Sequence, residues 1–196
     1  MNRMPIRTLL AIAAALALPG CVSFAPDPPD SLLTLTPAAS VASGAASSGT
    51  AQTALAVAEP GASARLAVTR VPVQVDGSSL AYLKDAQWVE RPTRLLRSLL
   101  VETIRAKGNR LVVNEGTLGY ATASTLSGQL LDMGYDASSG AAVIRYDAML
   151  QLPGGEVRTR RFEAVVPGVQ AKAGPVGAAL NQAANQLAAD VAEWVG

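Results

Sequence analysis

The chain has 196 residues, is 49% hydrophobic and 4% aromatic, and contains one cysteine and no histidine. With 16 Lys+Arg against 15 Asp+Glu its formal charge is +1, which excludes the basic field needed to hold a nucleic-acid backbone, and the few aromatics exclude stacking platforms for single strands. The missing histidines remove the commonest general base and metal ligand, and no GxSxG, HExxH, CxxC or phosphate-binding glycine loop is present, so composition points to a binding, tethering or structural role with no enzyme activity, cofactor or metal.

Residues 1–20, "MNRMPIRTLLAIAAALALPG", read as a signal peptide. Arg3 and Arg7 form a short basic region, and Leu9 to Leu18 form an apolar run that is too short to span a bilayer. Leu18-Pro19-Gly20-Cys21 resembles a bacterial lipobox, with Pro19 a departure from the usual small or β-branched residue. A lone unpaired cysteine in an exported chain needs an explanation, and lipidation of Cys21 supplies one; the alternative is an ordinary signal peptide with an incidental cysteine. Without Arg3 and Arg7, the acidic residues outnumber the basic ones by one. The mature chain is expected to run from Cys21 to Gly196 as one domain.

Residues 21–30 carry Pro26, Pro28 and Pro29 and read as a tether of at most ~30 Å. "SLLTL" (31–35) is a strand candidate, and the domain is taken as 31–196. Residues 38–64 are Ala/Ser/Gly-rich, offer little large apolar surface, and are expected to form a mobile loop. "RLAVTRVPVQV" (65–75) reads as a strand, with Pro72 marking an end, edge or bulge, and 76–87 as a loop carrying Tyr82.

"WVERPTRLLRSLLVETIRAKGNR" predicts a helix with Pro92 in its first turn and Gly108 at its C-cap. Leu95, Leu96, Leu99, Leu100 and Ile104 share one face; Arg94, Arg97 and Arg105 share the other, which reads as a solvated face or a surface for headgroups or a partner. "RLVVNE" (110–115) is a short buried strand. Residues 124–136, 141–152 and 156–167 predict three strands joined by the turn signals "DASSG" and "PGG". In 141–152 the parity of Ala142, Ile144, Tyr146, Ala148 and Leu150 is the apolar one. Residues 174–196 predict a second amphipathic helix. The whole is an α/β sandwich, a mixed sheet of about five or six strands with two long helices.

This order of elements resembles the ABC-type transport auxiliary lipoproteins, the PqiC-like family. The resemblance rests on the lipobox and tether before "SLLTL", on Val71-Pro72 with downstream Tyr82, on Trp88, Glu90, Pro92, Leu95 and Leu96 opening the first helix, and on a closing Ala-rich helix that ends near a tryptophan. Ser31 departs from the aromatic start usual in the family. The resemblance implies a three-layer α/β/α-like domain similar to the N-terminal domain of TolB. It also implies an outer-membrane lipoprotein, acylated at Cys21 with chains such as palmitate and facing the periplasm. Its implied partners are an MCE-domain periplasmic protein with its ABC permease and ATPase, in a system that moves phospholipids or other hydrophobic molecules. Tyr82, Trp88, Arg94 and Arg97 are the candidate partner contacts, with core anchoring the competing role for Trp88. Unpaired sheet edges also admit a second copy. An envelope-assembly lipoprotein, such as a peptidoglycan-synthase activator or a pilotin-like chaperone, is the alternative, and an anchored enzyme the more distant one.

Overall fold

The computed structural model describes residues 29, 31–108, 110–114 and 124–196. Cys21 and the tether up to Pro28 lie outside the described residues. In chain order the elements are β1 (Leu55–Val57), β2 (Gly61–Ala62), a 3-10 turn (Ala64–Leu66), β3 (Arg70–Gln74) and β4 (Leu80–Gln87). They continue with α1 (Pro92–Lys107), β5 (Val112–Asn114), β6 (Ser124–Asp136), β7 (Ala141–Gln151), β8 (Val157–Val166) and α2 (Ala173–Val195).

All eight strands belong to one mixed sheet built around β6. At ~3.3 Å per residue this 13-residue strand is about 43 Å long, more than any short partner can cover. One of its edges pairs antiparallel with β7 from Thr125↔Gln151 to Asp136↔Ala141, and β7 then pairs antiparallel with β8. Its other edge takes three short parallel partners end to end: β1 at Ser124–Leu126, β2 at Gln129–Leu130 and β3 at Tyr135–Asp136. β5 extends the sheet beyond β1, in parallel, and β4 extends it beyond β3, antiparallel. The β3–β4 register shifts between Arg70 and Pro72, the irregularity that a ladder without the proline N–H requires.

The buried parity of β7 is the expected one: Ala142, Ile144, Tyr146, Ala148 and Leu150 face the core with Phe162 and Ala164 of β8. The opposite face of β7 and β8 carries cross-strand ion pairs, Arg145 with Glu163 and Arg161 with Asp147 (2.6 Å), and is open to solvent. The mixed α/β fold with two long helices is as expected, but both helices pack against each other and into the single core, so they lie on one face and the described elements form two layers, not the three that the resemblance implies. The α1 leucines and Ile104 are buried as periodicity predicts, and Gly108 closes α1 in the left-handed conformation (φ 73°). In α2 a stripe from Val176 through Leu180, Ala184, Leu187 and Val191 is buried; its alanines let helix and sheet approach closely.

Three expectations need correction. Residues 38–64 are not a continuous loop: Leu55, Ala56 and Val57 form β1, fully inside the sheet between β5 and β6, and β2 follows. A three-residue strand flanked by buried alanines has too little length for a period to register. Residues 80–87 form the strand β4, whose mostly exposed side chains hide its extended backbone, and Asp85 breaks its regularity with φ 56°. These segments raise the strand count to eight. Conversely, 31–35 makes only one bridge, Leu33 with Trp88.

That N-terminal segment is held by backbone bonds at this bridge and by side chains of α2 beyond it. Leu33 donates its backbone N–H to Gln87 O (2.7 Å) and accepts from Val89 N–H (2.9 Å). Further on, the Thr36 and Ala38 N–H groups donate to Asn181 Oδ1 (2.8 Å) and Asn185 Oδ1 (2.7 Å), and Asn185 Nδ2 donates back to Thr36 O (2.9 Å). Leu35 is buried beneath this strap. Asn185→Ala removes two strap hydrogen bonds and leaves the exposed Ala38 N–H and Thr36 C=O to water, so it is expected to lower stability by about 0.5–1.5 kcal/mol. Urea denaturation checks this, with exposed Gln182→Ala expected to stay within about 0.5 kcal/mol of wild type.

Candidate functional surfaces

The strap defines two poles. It runs parallel to β4 at the Leu33–Trp88 bridge and along α2 from the level of Gly177 to Asn185, so residue 31 lies at the pole where α2 begins. The β3–β4 hairpin and the β6–β7 turn share that pole, because Gln74 pairs with Asp136 and accepts from Ala137 N–H (2.9 Å). The two turns use one chemistry. In Asp76-Gly77-Ser78-Ser79 and Asp136-Ala137-Ser138-Ser139, the aspartate Oδ1 accepts from the next-but-one serine through its backbone N–H and hydroxyl (2.8 and 3.1 Å at Asp76, 2.9 and 2.7 Å at Asp136). These bonds hold both carboxyls below their ordinary range.

The edge strand β4 lies beside this pole. Arg70 lies over the half-buried Tyr82 ring at 3.8 Å, a cation–π contact on the sheet surface. Exposed apolar side chains lie at both ends of the strand: Val75 and Leu80 flank the hairpin, and Leu32 and Val89 flank the strap bridge. Trp88 does not join them. It is fully buried and offers no ring surface to a partner, so its place is in the core.

The arginine face of α1 is engaged with the chain itself. Arg94 reaches Glu90 (3.8 Å) and Glu59 (3.9 Å), an exposed trio of small energetic weight. Glu59 also accepts from buried Thr93 Oγ1 (2.6 Å), placing a carboxylate at the helix N-terminus where the dipole favours it. Arg97 donates Nε to Val57 O at the end of β1 (3.1 Å), and Arg105 donates to Val112 O of β5. Each of these arginines therefore braces a strand end or a loop, and Arg94 and Arg105 stay exposed.

One internal carboxylate is perturbed. Asp132, at a bulge of β6, is pushed up by burial while Arg65 (3.5 Å) and Arg145 pull it down. Arg65 also donates to Leu131 O (2.7 Å) and Gln74 Oε1 (3.1 Å), so the group is a brace between the 3-10 turn, β3 and β6. Sequence reading passed over this brace, as it passed over Asn181 and Asn185; two asparagines four apart on an alanine helix were the available signal for the latter.

Among the described residues no helix is long and apolar enough to cross a membrane. The fold is thus a small mixed α/β domain whose accessible chemistry lies in edges, turns and surface grooves. The chain belongs to the family of ABC-type transport auxiliary lipoprotein components, whose model it matches over residues 33–192. No curated protein matches it. Among solved structures, protein XCC0632 from Xanthomonas campestris, of family DUF330, is similar at 22% identity with a TM-score of 0.63; the match covers 85% of this chain and 92% of that one. An uncharacterized protein is similar at 20% identity and a TM-score of 0.65, covering 74% of this chain and 93% of its own. These two likenesses bear on the fold.

Proposed function

We propose that the protein is an outer-membrane-anchored docking element of a transport system that moves phospholipids or other hydrophobic molecules across the envelope. Cys21 is the acylated mature N-terminus, the domain faces the periplasm, and its partner is an MCE-domain protein working with an ABC permease and ATPase. Family membership supports the transport setting. The observation that carries the docking role is two pairs of exposed apolar side chains at the ends of the outermost strand β4, Val75 with Leu80 at the hairpin and Leu32 with Val89 where the strap bridges Trp88. Exposed apolar side chains along an outermost strand that the strap covers only at one end suit a protein partner. The apolar faces of both helices, by contrast, are buried in the one core and leave none of their apolar stripe to line a carrier cavity.

Two experiments test this reading. Cys21→Ala is expected to move the protein from the membrane fraction to the soluble periplasm, because buried acyl chains contribute ~0.8 kcal/mol per CH₂; mass spectrometry of the wild-type N-terminus is expected to find an acylated cysteine. Crosslinking in intact envelopes is expected to recover an MCE-domain protein, with Leu80→Asp and Val89→Asp weakening recovery while Val157→Asp, on distant β8, leaves it unchanged. Recovery of a penicillin-binding protein or a secretin instead would move the assignment to envelope assembly. Tightly bound stoichiometric phospholipid would make the domain a carrier.

A further inference from the structure

The exposed loop 40–48 and the C-terminal end of α1 border a cavity of about 710 Å³ that is open to solvent on one side. Ser40, Ser47 and Ser48 line it on the loop side, and Glu102, Arg105 and Arg110 line it on the other. The two arginines are held from behind. Arg105 donates Nε and Nη2 to Val112 O (3.3 and 3.0 Å). Arg110 donates Nη1 to Val195 O (3.3 Å) and Nη2 to Ser124 Oγ (3.1 Å), and Ser124 is itself buried. A guanidinium has five N–H donors, so each keeps donors beyond those it uses.

None of these partners is an anion, and among the described residues neither arginine forms an ion pair. Burial of Arg110 without a carboxylate disfavours its charged form and pulls its pKa down. Glu102 is occupied in part by the loop, since its Oε1 accepts from Val41 N–H (2.8 Å). The wall therefore offers two positioned cations, one carboxylate and three hydroxyl side chains, a net positive lining in a volume within the range of small-molecule sites.

We propose that this cavity binds a phosphate-bearing ligand, with Arg105 and Arg110 facing its oxygens and the loop serines completing the contacts. Two planar guanidinium forks and several hydroxyls suit a tetrahedral group with at least three acceptor oxygens better than they suit a single carboxylate. The phosphate belongs either to a lipid headgroup or to a free anion. The inference does not rest on the transport reading, and its test requires no partner protein.

Detergent-purified full-length protein is titrated calorimetrically with inorganic phosphate and, separately, with dihexanoylphosphatidylglycerol. Saturable binding of at least one probe is expected, weakened at least tenfold by Arg105→Gln and by Arg110→Gln. Because Arg110 also braces the end of α2, Ser47→Asp provides an independent variant: it adds a repelling carboxylate on the exposed loop and is likewise expected to weaken binding at least tenfold. Arg158→Gln, on β8 and outside the cavity, is expected to bind as wild type does. Tighter binding of the lipid assigns the site to a headgroup; tighter or equal binding of inorganic phosphate assigns it to a free anion. Failure of both probes to saturate, unchanged affinity in Ser47→Asp, or an equal loss in Arg158→Gln overturns the proposal.

Discussion

Trp88→Ala is expected to lower the unfolding free energy by about 3–5 kcal/mol, the range for deleting a large buried aromatic. The indole is fully buried at a junction where three segments meet. The Trp88 backbone N–H donates to Thr69 O (2.7 Å), the residue bridges Leu33 of the strap, and α1 begins four residues later. Truncation would open a cavity that the strap, β3 and the helix start cannot all collapse to fill. A second variant separates packing from polarity. The indole Nε1 is buried and has no hydrogen-bond partner among the described residues, so Trp88→Phe removes an unmatched donor while keeping a ring. Its net cost is expected to stay below about 1.5 kcal/mol. Urea denaturation followed by circular dichroism measures both. A loss under about 1 kcal/mol for Trp88→Ala would contradict the core placement.

Gly128→Ala is expected to be comparably damaging. Gly128 lies within β6 with φ 151°, and a Cβ there would sit 2.0 Å from Asp147 O of the neighbouring strand and 2.9 Å from the Tyr146 hydroxyl and ring. Backbone cannot yield to a contact that short without breaking the ladder at the centre of the sheet. The Tyr146 hydroxyl is pinned as well: it donates to Ser127 O (2.6 Å), and burial raises its pKa, keeping the proton in place. The expected cost exceeds about 3 kcal/mol, and loss of soluble folded protein is the extreme form of the same result. Gly77→Ala is the matched control, since nothing lies within 4 Å of its Cβ position, and it is expected to change stability by less than about 0.5 kcal/mol. Thermal melts of the two variants side by side decide the matter; equal melting would show that β6 and β7 do not approach as described.

What could be read from sequence follows from element length and one-sided burial. β6 begins and ends at the predicted residues, and β7 and α1 fall within a residue or two of theirs, because each is long enough for its period to show and has one face in the core. β1 has three residues buried on all sides, so no alternation exists to detect. β4 has the opposite difficulty: as an edge strand it is mostly exposed, and Lys84 and Asp85 give it the composition of a loop. The candidate surfaces were legible only in part. Tyr82 and the α1 arginines could be named from their residue types, but what Tyr82 touches depends on the β3–β4 pairing, and what Arg97 and Arg105 touch depends on β1 and β5, whose pairing the sequence does not declare. Arg110 gave no signal, since its place in the cavity wall depends on the end of α2, 85 residues away.

The strap has a mechanical consequence. Its contacts succeed one another along the direction of the chain, from Leu33 on β4 through Thr36 and Ala38 on α2 to Val41 on α1. A pull applied before residue 31 and directed along the strap loads these bonds together, in shear, instead of opening them one at a time as a peel would. Buried Leu35 has to be dragged past α2 before the rest yields. Tension from a fixed N-terminus would thereby be spread over a strand edge and both helices, and the domain would resist being unravelled from that end.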